Sequence, residues 1–151
     1  MLRTASKLKD KEDAYKFVLD NQKELEDIMK ELEELYKDEG EDWLYFESDT
    51  YSKYHFSSAD SLIQKYPIKS FIVDKTKKNS ICFFIEFWSS ISGYEYCGIY
   101  YSMDGVPLTW SLEETHQWKQ INETYIEYGS YYRYETEKIV DNWYFYQVDS
   151  R

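Results

Sequence analysis

Few side chains in this 151-residue chain could carry nucleophilic or metal chemistry. The two histidines are His55, in a polar stretch, and His116, in an acidic one. The two cysteines, Cys82 and Cys97, each lie inside an apolar run. A nucleophile needs a base within reach and a further group to orient that base. No spacing here links either thiol to either histidine, and a thiol inside a strand is packing rather than reagent. The same four residues lack the spacing of a zinc knuckle, and no His-x-x-x-His occurs. Five glycines are scattered singly, so no phosphate-cradling loop is present.

Carboxylates remain. Glu86 interrupts the run from Ile81 to Trp88, and apolar surroundings raise a carboxyl pKa as a general acid requires. The simpler expectation follows from strand alternation. Ile81, Phe83, Ile85 and Phe87 share one face, and Glu86 shares the other with Cys82, Phe84 and Trp88. On a half-covered antiparallel sheet that second face is wet. The pairs Glu113/Glu114 and Glu135/Glu137 read as solvated charges. The residues therefore predict no catalytic site, no cofactor and no metal.

The elements that would position any site are clearer. Ser80 to Val106 reads as the centre of an antiparallel meander: a β-branched and aromatic strand, a Ser/Gly turn, then a second strand from Tyr94 to Met103. Asp104-Gly105 has the composition of a type I′ hairpin turn, which predicts Leu108 to Leu112 pairing back as an edge strand beyond Pro107. Pairing of the first two strands would bring Cys82 and Cys97 near each other, reduced and unbonded. Upstream, Ala14, Val18, Asn21, Leu25, Ile28, Leu32 and Leu35 recur by threes and fours. Phe17, Met29 and Tyr36 widen that stripe. It predicts either one helix from Asp10 to about Lys37 or two joined near Asp20, with Asn21 and Glu24 as a capping box and Gly40 as the stop. Trp43 to Glu47 fits helix or strand, and Asp49 to Ser58 reads as a loop. A short helix is expected over Ala59 to Lys65, capped by Ser57 or Ser58, and a strand over Ile68 to Val73. Residues 118–130 fit either periodicity. Tyr131 to Ile139 and Trp143 to Val148 form a second hairpin about Asp141-Asn142.

Composition narrows the function classes. The net charge is -11, and from Asn79 onward 11 acids face only Lys119, Arg133, Lys138 and Arg151. Direct nucleic-acid binding wants a basic stripe, and the cluster Lys75, Lys77 and Lys78 reads as a solvated turn. An acidic surface serves solubility, or docks a basic partner and speeds its association. Seventeen tyrosines against eight phenylalanines suit either a sheet surface or a recognition face of rigid amphipathic rings. No signal peptide is visible in the first residues and no run approaches a membrane span, so the chain reads as cytoplasmic. It reads as one domain, 1–151, with residues 1–9 a loose leader.

Two segments carry a resemblance. GIYYSMDGVPLTW, Gly98 to Trp110, looks like a hairpin with the pattern G-x-Y-Y-S-x-D-x-x-P. EKIVDNWYFYQVD, Glu137 to Asp149, looks like its closing strand, I-x-D-N-W-Y-x-Y. Both resemble small acidic immunity proteins of bacterial polymorphic or contact-dependent toxin systems, over about the last third of the chain. The resemblance implies a stoichiometric inhibitor that covers the active site of one cognate protein toxin. The charge adds that a basic nuclease domain would suit it.

The residues alone identify no activity. They predict an α+β domain, with an amino-terminal helix or helix pair packed on an antiparallel sheet of about five or six strands. The leading expectation is a non-enzymatic, toxin-neutralising binding protein with its interface in the carboxy-terminal half. Tyr100, Glu113, Glu114, Trp118, Tyr132, Glu135 and Trp143 are the candidate contacts. Two alternatives come from other classes. One is a small-ligand module, which a pocket of a few hundred cubic ångströms between helix and sheet would favour. The other is a scaffold that dimerises through Leu25 and Leu32.

Overall fold

The computed structural model of the protein describes residues 11–39, 43–47, 59–74, 82–87, 96–109 and 117–150. Helices α1 (Lys11–Asp20) and α2 (Gln22–Glu39) lead into strand β1 (Trp43–Glu47) and a short helix α3 (Asp60–Lys65). Seven strands follow: β2 (Ile68–Asp74), β3 (Cys82–Phe87), β4 (Tyr96–Ser102), β5 (Gln117–Ile121), β6 (Thr124–Tyr128), β7 (Tyr132–Val140) and β8 (Trp143–Ser150). All eight strands join one antiparallel sheet in the order β1-β2-β3-β4-β8-β7-β6-β5. Each half of the strand sequence is a four-stranded meander, and the two are zipped together by their last strands, β4 against β8.

The α+β architecture is as expected, but the sheet is wider than five or six strands. Residues 117–128 supply the difference. Asn122 takes φ 55°, a left-handed value that asparagine adopts more readily than most residues, and the ambiguous segment becomes the β5–β6 hairpin. Trp43–Glu47 resolves as a strand on the opposite edge.

The helical stripe divides at Asn21. Its backbone accepts from Leu25 N (2.9 Å), and its side-chain amide donates to Phe17 O (2.7 Å) and to the Tyr66 hydroxyl (3.1 Å). The side chain thus closes α1 rather than forming the expected capping box with Glu24. Ala14, Phe17, Val18, Leu25, Ile28 and Leu32 are each at most 2% exposed and share one core with Phe71, Ile85, Ile99 and Phe145 of the sheet. Leu25 and Leu32 are spent inside the chain, which removes the helix seam needed by the dimeric scaffold. Phe17 meets Tyr66 and Phe87 edge to face, at 4.5 and 5.2 Å between ring centres. Tyr66 is extended (φ -122°, ψ 153°), as the residue before Pro67 should be, and α3 ends there. Ala59 precedes it without a side-chain cap; Ser57, Ser58, Gly40 and the loop 49–58 lie outside the described residues.

The Asp-Gly turn does not make a hairpin. Gly105 has φ 72°, but Asp104 is not left-handed as a type I′ turn would require. Instead the Asp104 carboxylate accepts from Val106 N (3.0 Å), and the Ser102 hydroxyl lies 2.7 Å from both Asp104 Oδ1 and Val106 O. That local bonding turns the chain off the sheet. Val106 to Thr109 form no strand, and Leu108 folds over the second face of the sheet. The thiols are not neighbours either. Cys82 pairs with Ser102 and Cys97 with Phe87, at opposite ends of the β3–β4 ladder and in opposite cores.

The second face is not wet. Cys82, Tyr100, Leu108, Tyr134, Tyr144, Tyr146 and Val148 form a buried cluster there, with Tyr100 and Tyr144 stacked at 5.1 Å. Its polar atoms are satisfied in series. Leu108 N donates to the Tyr100 oxygen (3.1 Å); Tyr100 donates to Thr136 Oγ1 (2.6 Å), which donates to Phe145 O (2.8 Å). Tyr100→Phe or Thr136→Val strands a buried partner and is expected to cost about 1–3 kcal/mol. The double variant removes both ends of the shared bond and should cost less than the sum. Urea midpoints would show this; strict additivity would mean that the hydroxyls do not share a bond.

Candidate functional site

A groove of about 310 Å³ opens between α2 and the end of the sheet formed by β3, β4 and the β7–β8 turn. The buried row of α2, Leu25, Ile28 and Leu32, brings the helix down onto the sheet. The next row, Gln22, Glu26, Met29 and Glu33, then overhangs it at helical spacing. Phe83, Tyr101 and Trp143 project from the same sheet face and floor the groove, with Met29 and Met103 at its sides. Tyr101 and Trp143 are cross-strand partners in an edge-to-face pair at 5.1 Å. Among the described residues, Glu26, Glu33 and Asp141 rim the opening together with a single lysine, Lys30, and all four are exposed. Asp141 is held there by the turn, where it takes φ 51°.

Of the seven candidate contacts, the described side chains Tyr100, Tyr132, Glu135 and Trp143 do not gather into one exposed face. Tyr100 is fully buried in the tyrosine cluster and Trp143 is 4% exposed in the helix-side core, so neither can meet a partner as an exposed anchor. An aromatic ring in a strand looks the same in sequence whether its face is bare or covered. Glu135 is partly buried and already paired, with Lys11 Nζ at 3.4 Å, Arg133 Nη2 at 3.6 Å and a Gln147 amide bond of 3.1 Å. Tyr132 is half-buried and donates to the Glu127 carboxylate (3.3 Å). Trp118 falls in edge strand β5, and Glu113 and Glu114 lie outside the described residues. Among the described candidates, only Trp143 belongs to the groove, as floor. The α2 residues were missed, although Met29, widening the apolar stripe beyond its core row, was a usable signal.

Elsewhere, the carboxylates drawn into the sheet, Glu86, Glu135 and Glu137, are engaged with cations. Glu86 is 8% exposed, with Lys69 Nζ at 3.2 Å. Lys11 bridges α1 to β7 through Glu137 (2.8 Å) and Glu135. Burial works to raise the Glu137 carboxyl, but its bonds to Lys11 outweigh that and hold it below the usual carboxylate value. Burial, with the Glu137, Glu123 and Glu135 carboxylates, pushes the enclosed Tyr15 hydroxyl well up. His55 and His116 lie outside the described residues, among which no three His, Cys, Asp or Glu side chains cluster as metal ligands. Among them, too, no helix is long and apolar enough to cross a membrane. Compared with known proteins, the chain matches no family model, no curated protein and no solved structure.

Proposed function

We propose that this chain is a non-enzymatic cytoplasmic immunity protein that neutralises one basic protein toxin by direct, stoichiometric binding. The observation that carries this is the surface of α2. Between Gln22 and Glu34 it bears six carboxylates and two lysines, none of them buried, on a helix whose Leu25, Ile28 and Leu32 pack into the core beneath. Such a field attracts a basic surface and raises its association rate. The immunity-like segments of the carboxy-terminal third supply the class of partner. The test is capture from the native lysate at low and high salt, followed by assay of the captured protein. A basic protein whose lethality on expression is cancelled at one-to-one stoichiometry supports the reading; a partner that is harmless, or is not inhibited, overturns it. Neutralising the flank away from the groove (Glu24→Gln, Asp27→Asn, Glu31→Gln, Glu34→Gln) should slow association about tenfold at low salt and much less at high salt.

The groove favours a second reading, a small-ligand module, since it lies between helix and sheet as such a pocket would. Its volume of about 310 Å³ is at the bottom of the range for small-molecule sites. A small-molecule thermal-shift screen decides this case: stabilisation that saturates with ligand favours the module.

A further inference from the structure

We propose that the groove between α2 and the β3–β4–β8 end of the sheet is a socket for one arginine side chain of a basic protein partner. This rests on the inhibitor reading above and names the chemistry of one contact within it. Three features converge. The floor is aromatic: Tyr101 is half-buried, lines the groove, and is braced edge to face by Trp143. A guanidinium stacks on such a ring and is less strongly hydrated than an ammonium. The rim is acidic, with Glu26, Glu33 and Asp141 against Lys30 alone among the described residues.

Those rim acids differ from the partly buried acids of the sheet strands. Glu86, Glu135 and Glu137 each have a cation at 2.8–3.4 Å, whereas among the described residues none is ion-paired to Glu26, Glu33 or Asp141. Three exposed carboxylates over an apolar floor match a side chain with a long apolar stem and a planar cationic head. The volume of about 310 Å³ is ample for one such side chain. Continuity with the acidic surface of α2 points to a basic protein as the source of the arginine.

The chain has three methionines, and two of them, Met29 and Met103, line the groove. Their methyl resonances are the readout. The probe is a blocked pentapeptide with one central arginine among glycines, compared with the same peptide carrying lysine or the neutral isostere citrulline. The arginine peptide should shift both methyls saturably. Lysine should bind more weakly and citrulline not at all. Glu26→Gln/Glu33→Gln, on the exposed side of α2, should weaken arginine binding about fivefold without disturbing the fold. Methyls that stay fixed in the arginine titration, or move equally with citrulline, overturn the proposal. The two levels separate cleanly. If the methyls stay fixed while the opposite-flank variant still loses its basic partner, the socket fails alone. If arginine binds the groove but no basic protein is inhibited, the cation site stands and the inhibitor reading falls.

Discussion

Gly98→Val is expected to prevent the sheet from forming, and Gly98→Ala to cost about 3 kcal/mol, the upper end of what overpacking usually costs. Gly98 is not left-handed, so backbone freedom is not the reason it is glycine. Space is. A Cβ built there would run into the carbonyl oxygen of Ile85 on β3, and would sit 2.8 and 2.9 Å from Cε1 and the hydroxyl of Tyr146 on β8. The ring can yield a little, but the Ile85 carbonyl is backbone held in the β3–β4 ladder and cannot. Replacing glycine also restricts the unfolded chain, which stabilises by less than about 1 kcal/mol and does not offset the clash. Tyr146→Leu in the alanine background should recover only part of the loss, because it relieves the ring and leaves the carbonyl. Urea unfolding followed by circular dichroism checks this. A Gly98→Ala protein within about 1 kcal/mol of the parent would show that the junction of the two meanders is looser than its register implies.

That junction also shows what could be read in advance and what could not. The β3 strand, the β7–β8 hairpin and the α1–α2 stripe were legible, because each is written in local periodicity and local turn chemistry. The pairing of β4 with β8 was not. Asp104-Gly105 carries a hairpin composition, yet the Asp104 carboxylate is consumed by Ser102 and Val106, and β4 takes a partner more than forty residues away. Tyr100 and Trp143 depart from the expected interface for a related reason. Composition places Tyr100 among exposed anchors because tyrosine tolerates water, but its hydroxyl is satisfied by Leu108 and Thr136, which only the folded topology brings to it. Charge was read more safely than exposure. The acidic excess was visible, but its concentration on α2 beside a groove depends on which helix row overhangs the sheet.

Above pH 10 the protein is expected to lose stability steeply, because its second core is built on phenols that must stay neutral. Burial raises the hydroxyls of Tyr100, Tyr134 and Tyr146 above the ordinary tyrosine value of about 10, despite the hydrogen bonds that partly offset it at Tyr100. Below pH 10 both folded and unfolded chains hold these protons, and the contribution is fully present. As pH rises past 10 the unfolded chain ionises first, so it binds fewer protons than the folded one and stability falls until the folded values are reached. Each such group contributes a slope of about 1.4 kcal/mol per pH unit, and three together about 4. Against a total stability of roughly 5–15 kcal/mol, that is enough to unfold the chain within a few pH units of 10. Lys11 works in the same direction, since its raised value is lost at still higher pH, but its side chain is 39% exposed and solvent screens the pair. Lys11→Met should therefore leave the slope nearly unchanged. Tyr146→Phe should remove about a third of it, read from urea midpoints between pH 8 and about 11.5. A slope that Tyr146→Phe leaves intact would mean that the phenols of the second core ionise as freely folded as unfolded, and that this face of the sheet is open to water after all.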